Sequence, residues 1–283
     1  MAAVEVNGLR KSYGDVEAVR GIDFEIAEGE VFGLLGPNGA GKTTTIEILE
    51  GYRRRDAGSV SVLGFDPGHA GGELRERIGV VLQASEVYET LSVEEILRLF
   101  AGYYRHPRDV GEVIELVGLE GKRGSRTAQL SGGQKRRLEL GIALIGDPDL
   151  LFLDEPTTGF DPGARRAAWD RIRAFRELGK TILLTTHYLE EAELLADRVA
   201  VIRDGVIVAH GTPAELTERT DRTEIRYRRN GREIVLETDA PTRLLHELTG
   251  QALAEGWELE GLRVRRPTLE DVYLELTGED GSE

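Results

Sequence analysis

Along the first 35 residues apolar and polar positions alternate: Val4, Val6 and Leu9, then Phe24 and Ile26 before Glu28-Gly29-Glu30. A period of two predicts antiparallel strands with one buried face. The apolar run Val31 to Leu35 passes through a glycine-rich stretch into a helical pattern in which Ile46 and Leu49 share a face and Gly51 is placed as C-terminal cap. Gly58 to Gly64 reads as a strand, Asp66-Pro67-Gly68 as a turn, and Ile78 to Leu82 as a buried strand ending at Gln83. From Ser92 to about Gly118 the period is helical, with a capping-box signature at Ser92 and Glu95 and a break at Pro107 that predicts two helices. A polar, basic linker from Gly121 to Ala128 leads to Leu130-Ser131-Gly132-Gly133-Gln134 and a helix over Lys135 to about Ile145.

Leu150 to Leu153 is continuously apolar, the pattern of a parallel strand covered on both faces, and runs straight into Asp154-Glu155-Pro156. Ala168, Ile172, Phe175 and Leu178 mark a helix face closed by Gly179, and Thr181 to Thr186 is a strand that ends on His187. Leu189 to Arg198 reads as helical, Val199 to Arg203 and Val206 to His210 flank Asp204-Gly205 as a hairpin, and Thr212 begins another helix. Strands alternating with helices predict an α/β fold with a mostly parallel sheet and an antiparallel subdomain. Beyond about residue 220 the character changes: a hairpin around Asn230-Gly231, a helix from Pro241 to Glu255, short strands near Trp257 to Val264 and a closing helix from Thr268 to Thr277 suggest a small α+β appendix.

The chain has 283 residues, room for one large α/β domain and a smaller one. A formal charge of −15 argues against a general nucleic-acid binder, which needs a basic surface. Arg263, Arg265 and Arg266 sit in an acidic context and read as a solvated strand face. There is no cysteine, hence no disulfide or thiolate metal site. With no secretory signal pattern and no apolar run near the ~18 residues a membrane span requires, any membrane role goes through a partner.

The chemistry concentrates in the stretch Gly36-Pro37-Asn38-Gly39-Ala40-Gly41-Lys42-Thr43-Thr44, which fits the phosphate-loop pattern at every fixed position in a strand-loop-helix setting. Glycines let the backbone curl so that its N–H groups and the helix start hold phosphate oxygens. Lys42 then reaches the β- and γ-phosphates, and Thr43 offers a hydroxyl to Mg²⁺. Ser131 to Gln134 opens a second helix equally suited to an anion, but about ninety residues away, and nothing local says that the two sites meet. Asp154 and Glu155 follow an apolar strand, at the carboxyl end where open α/β sheets bind ligands. Alternation along a strand points them to opposite sides, one toward the Mg²⁺ shell and the other toward an attacking water.

In order and spacing these elements resemble the ATP-binding-cassette (ABC) ATPases over residues 4 to about 220, with Ser131-Gly132-Gly133-Gln134 as the discriminating motif. Thr185-Thr186-His187-Tyr188 and the ending Pro267-Thr268-Leu269-Glu270-Asp271-Val272-Tyr273 are similar to ATPase subunits of bacterial drug-export systems of the daunorubicin-resistance type. The resemblance implies a P-loop NTPase fold, with a cassette over 1–220, a helical subdomain over about 88–145, and a separate α+β domain over 221–283. It implies ATP and Mg²⁺ as ligands. Tyr13 stacks on adenine, Gly36 to Thr44 hold the phosphates, Asp154 holds Mg²⁺ largely through water, Glu155 is the general base and His187 the γ-phosphate switch. Gln83 senses γ-phosphate and Mg²⁺ and links to the membrane partner. Two cassettes, here a homodimer, pair head to tail, so that Ser131, Gly132, Gly133 and Gln134 of one chain close over ATP bound to the other; Asp161 is retained in the loop after the acidic strand, where Phe160 replaces the commoner Leu. The implied partners are that second cassette and a membrane permease on a separate chain, with no nucleic acid, at the cytoplasmic face of the membrane, and the implied cargo is a drug, lipid or other small molecule. The alternative is a soluble ABC ATPase of translation or DNA repair; such proteins commonly carry two cassettes or a long inserted arm and a basic surface.

Overall fold

The computed structural model describes residues 1–81, 88–218, 223–266 and 268–277. Strands β1 (Ala2–Tyr13) and β2 (Val16–Ala27) form the expected antiparallel pair, with Val4, Val6, Leu9, Val19, Ile22 and Ile26 buried. β3 (Val31–Leu35) departs from that series. All five of its residues are buried, and it enters a second sheet parallel to both neighbours, because a strand covered on both faces cannot extend a half-solvated hairpin. Helix α1 (Lys42–Leu49) follows, and β4 (Ala57–Val62) returns to β1, giving a sheet ordered β2-β1-β4. A six-residue helix that no apolar period announces, α2 (Gly72–Arg77), precedes β5 (Ile78–Val81). Leu82 and Gln83, the expected end of that strand, lie outside the described residues.

Helices α3 (Val93–Ala101) and α4 (Val110–Leu116) flank Pro107 as anticipated; Ser92 caps α3 in a full capping box with Glu95, and Asp109 caps α4. α5 (Gly132–Leu144) begins earlier than the apolar period suggests because Ser131 and Gln134 cap each other across its first turn. β6 (Leu150–Asp154), α6 (Pro162–Glu177), β7 (Thr181–Thr186), α7 (Leu189–Leu195), β8 (Arg198–Arg203) and β9 (Val206–Gly211) complete the layer. α7 stops at Leu195, not Arg198. The Asp197 N–H donates to the Val31 carbonyl and the Asp197 carboxylate accepts from the Val31 N–H, so the chain is already locked to β3 before Arg198 enters β8.

The central sheet runs β5-β6-β7-β3-β8-β9, and its first five strands are parallel. Alternation along the strands sorts its side chains into two cores. Val31, Leu151, Leu153, Ile182 and Leu184 pack with α3, α4 and α5; Phe32, Leu34, Leu150, Phe152, Leu183 and Ala200 pack with α1, β1, β2 and β4. Register places Leu35 beside Thr186 and Asp154 beside Thr185, so the carboxyl ends of β3, β7 and β6 lie side by side.

The chain divides into two compact units, Met1–His210 and Gly211–Glu283. The second contains α8 (Pro213–Glu218), β10 (Thr223–Arg229), β11 (Arg232–Thr238), α9 (Pro241–Glu255), β12 (Glu260–Arg265) and α10 (Leu269–Thr277). It begins before the change of character near residue 220 because α8 packs on α10. In its antiparallel sheet, ordered β11-β10-β12, Ile225 and Tyr227 form a small core with Leu248, Leu244 and Trp257. Arg263, Arg265 and Arg266 are exposed, as a solvated strand face requires; Pro267 lies outside the described residues.

Glu50 closes α1. Burial pushes its carboxyl up to about 8, with the Asp154 and Glu47 carboxylates adding to the effect, and its Oε1 has no hydrogen-bond partner among the described residues. The folded chain therefore holds a proton here that the unfolded chain, titrating near 4.5, has released, and this contribution to stability falls as pH rises from 4.5 to about 8. Replacing Glu50 with Gln removes the titration: in EDTA, the variant is expected to gain stability over the parent as pH rises through that window, by on the order of 1–3 kcal/mol at its upper end. Parallel stability curves for parent and variant across the window would show the carboxyl to be solvated. Phe152, fully buried in β6, gives a second test: Phe152→Ala is expected to cost about 3–5 kcal/mol in chemical denaturation, and a loss under about 1 kcal/mol contradicts the core assignment.

Candidate functional site

The glycine-rich stretch links β3 to α1, and its shape is set by what lies behind it. Gly41 is the N-cap residue of α1 with φ 109°, and a Cβ there would meet the Ala18 carbonyl oxygen at 2.4 Å. A Cβ on Gly36 would meet the Ile202 carbonyl oxygen, in β8, at 2.3 Å. The Gly205 N–H donates to the Ala40 carbonyl (3.1 Å) and the Arg20 N–H to the Gly205 carbonyl (2.7 Å), which ties the loop through the β8–β9 turn to β2. Lys42, 5% exposed, folds back so that Nζ donates to the carbonyls of Gly36 (2.6 Å) and Pro37 (3.1 Å). Ala18, Asn38, Gly39, Gly41, Lys42, Thr43, Thr44 and Glu155 line a cleft of about 330 Å³.

Two carboxylates face this lysine. Asp154 ends β6, and its Oδ1 accepts from the Thr185 hydroxyl at 2.5 Å. Glu155 is no longer on the strand: its φ of 46° is left-handed, and its N–H donates to the carbonyl (3.2 Å) and hydroxyl (3.0 Å) of Thr185. The expectation that strand alternation alone separates the two side chains is therefore corrected. A turn, held by Thr185 of the neighbouring strand, separates them. The Thr158 hydroxyl donates to Glu155 Oε2 at 3.0 Å, and His187 Nδ1 stands 3.5 Å from that oxygen.

The electrostatics follow from burial. Desolvation lowers the Lys42 ammonium from its usual range, while the Glu155 and Asp154 carboxylates pull it back up. Desolvation likewise raises Asp154, against the Thr185 hydroxyl bond, which lowers it; the Glu155 charge adds to the rise, and Lys42 and Arg136 oppose it. Thr43, exposed at the start of α1, and Asp154 make an all-oxygen donor pair, which fits Mg²⁺, an ion that takes one or two protein oxygens and completes its shell with phosphate and water. Among the described residues no group of three or more His, Asp or Glu could hold a metal alone.

Other expected residues stand elsewhere. Tyr13, 40% exposed near the β1–β2 turn, has Lys11 Nζ 5.6 Å and the Arg53 guanidinium 5.2 Å from its ring centroid. Ser131, Gly132, Gly133 and Asp161 line a different cleft of about 390 Å³ with Arg137, Gly159, Phe160, Ala164 and Ala167. Within it Ser131 Oγ accepts from the Gln134 N–H, Gln134 Oε1 accepts from the Ser131 N–H, and Asp161 caps α6 by accepting from the Ala164 N–H. Sequence reasoning missed Ala18, Thr158 and Arg136 as parts of the site. None carries a local motif, and Arg136, in a run of three basic residues, reads as solvated although it is buried.

A family model described as ABC transporter matches residues 19–158. The Nod factor export ATP-binding protein I of Rhizobium sp. strain N33 is 41% identical over 305 residues, covering 98% of this chain and 98% of that protein. The daunorubicin resistance ATP-binding protein DrrA3 of Streptomyces coeruleorubidus is 41% identical over 305 residues, covering 98% of this chain and 96% of that one. Among solved structures, cbiO1 of Clostridium perfringens, described as part of the ABC transporter complex cbiONQ, superposes with a TM-score of 0.71 at 29% identity, over 77% of this chain and 91% of its own. An ATP-binding subunit of an ABC transporter superposes with a TM-score of 0.69, also at 29% identity, over 77% and 92%. A phosphate loop facing two carboxylates at the ends of parallel strands, in a chain this close to such relatives along its whole length, belongs to the ABC transporter family, among its ATP-hydrolysing ATP-binding proteins.

Proposed function

We propose that the chain is the motor subunit of an exporter: two copies close around ATP, hydrolyse it, and drive a separate membrane permease that carries a drug, lipid or other small molecule. The observation that carries this reading is the separation of two clefts. Lys42 and Glu155 line one, Ser131, Gly132, Gly133 and Asp161 the other, and they share no residue. Each is half of a phosphate site, so a second cassette completes it. The first compact unit, Met1–His210, supports a cassette over about 1–220 with a helical part over about 88–145, and the appended α+β domain, expected over 221–283, lies within the second unit, which begins at Gly211. No helix among the described residues is long and apolar enough to cross a membrane, so the permease supplies the spans, and we place this subunit at the cytoplasmic face. Export is supported by the names of the relatives, which concern Nod factor and daunorubicin resistance.

The chemistry follows from the residues. The loop N–H groups and the start of α1 bind the phosphates, and Lys42, released from the Gly36 and Pro37 carbonyls, neutralises the β- and γ-phosphate charge. Tyr13 stacks on adenine. Glu155, steadied by the Thr158 hydroxyl, takes a proton from water as the water oxygen bonds to the γ-phosphorus and the bond from that phosphorus to the β-bridging oxygen breaks, leaving ADP and phosphate. His187, beside Glu155, contacts the γ-phosphate. Thr43 and Asp154, with Gln83 outside the described residues as a further ligand, would hold Mg²⁺, which would supply charge neutralisation at the phosphates.

Glu155→Gln is expected to lower steady-state phosphate release about a hundredfold or more while preserving ATP binding and accumulating an ATP-bound dimer in size-exclusion chromatography. Full turnover by this variant would falsify the assignment of the base. Lys42→Ala is expected to abolish both hydrolysis and ATP-dependent pairing; a variant that still pairs on ATP would separate the loop from association.

A further inference from the structure

Arg136 is 9% exposed and sits one turn into α5, five residues after Ser131. Two of its nitrogens reach one short segment: Nε donates to the Pro156 carbonyl (3.1 Å), and Nη2 to the carbonyls of Asp154 (2.9 Å) and Glu155 (3.1 Å). Nη1 pairs with Glu139 Oε2 at 2.7 Å on the same helix, and both side chains are nearly buried. The three carbonyls belong to buried residues at the point where β6 breaks into the left-handed turn. An L-residue in that conformation is strained, and although the Thr158 N–H also donates to the Glu155 carbonyl (3.3 Å), Arg136 is the side chain that reaches all three oxygens of the turn at once. A planar fork of five N–H groups does so; a lysine ammonium is a point donor and does not.

We propose that Arg136 is a positioning residue for hydrolysis, holding the Asp154–Pro156 turn so that the Glu155 carboxylate meets the attacking water. This rests on Glu155 acting as the base. It also means that the helix whose first turn bears Ser131, Gly132 and Gly133 grips the chain's own base through its second turn.

The test is a double-mutant cycle on the full chain with ATP, following single-turnover hydrolysis, ATP affinity and ATP-dependent pairing. Arg136→Gln is expected to lower the hydrolysis rate about tenfold to a hundredfold, the cost of a misplaced catalytic group, with ATP affinity changed less than about threefold. In the Glu155→Gln background the same change is expected to cost less than about twofold, because a residue acting through Glu155 has nothing left to position. The ATP-bound dimer of Glu155→Gln is expected to persist in the double variant. Equal losses in both backgrounds, or loss of ATP binding and pairing along with hydrolysis, make Arg136 a general prop of α5 and overturn the proposal. If Glu155→Gln alone leaves the rate unchanged, the reading of the base fails instead, independently of Arg136. Should Arg136→Gln fail to fold, Arg136→Lys, which keeps the charge beside Glu139 but not the three-carbonyl grip, is read through the same cycle, with wild-type turnover overturning the proposal.

Discussion

A buried ammonium without a carboxylate beside it gives up its proton or leaves the interior. Burial pulls the Lys42 ammonium down while the Glu155 and Asp154 charges oppose that pull and its Nζ donates to the Gly36 and Pro37 carbonyls, and the strand order serves that arrangement. β3 delivers the loop, β6 delivers the two acids, and β7 between them supplies Thr185, which binds both acids at once. The strand order, with β7 separating β3 from β6, is what lets one threonine serve as the common hydrogen-bonding partner. Parallel pairing is equally necessary, since only parallel strands bring all their carboxyl ends to one edge.

Much of this was legible in the residues. The unbroken apolar run Leu150 to Leu153 marks β6 as a central strand; alternation marks the β1–β2 pair; and caps at Ser92, Thr212 and Thr268 fall where the side chains close their rings of hydrogen bonds. Errors came where a local pattern carried no information about its partner. β3 follows two antiparallel strands and was grouped with them, although the choice of sheet depends on who covers its second face. α2 has one buried residue, Leu74, too few to show a period, and α7 ends where Asp197 meets Val31, a contact more than 160 residues away along the chain.

The site divides in the same way. The phosphate loop and the acidic pair are readable because their chemistry demands particular residues at fixed spacing. Their supports are not. Thr185 bonding to Asp154, Thr158 to Glu155 and Arg136 to three carbonyls act through geometry that only the folded chain creates. The Glu155 turn is the clearest case. Strand alternation gave a sensible reason for the two acids to diverge, and the divergence comes instead from a change in backbone handedness one residue past the strand.

The glycines of the loop bear on how far the motif is a self-contained unit. Gly36 and Gly41 are each denied a side chain by a carbonyl oxygen of another element, Ile202 in β8 and Ala18 in β2. Part of the pattern is thus an imprint of the surrounding scaffold, not of the nucleotide. Grafted between a different strand and helix, the same nine residues would carry their phosphate donors along but lose the walls that dictate two of their glycines. The portable unit is larger than the motif: it includes the β2 and β8 segments against which the loop is cast.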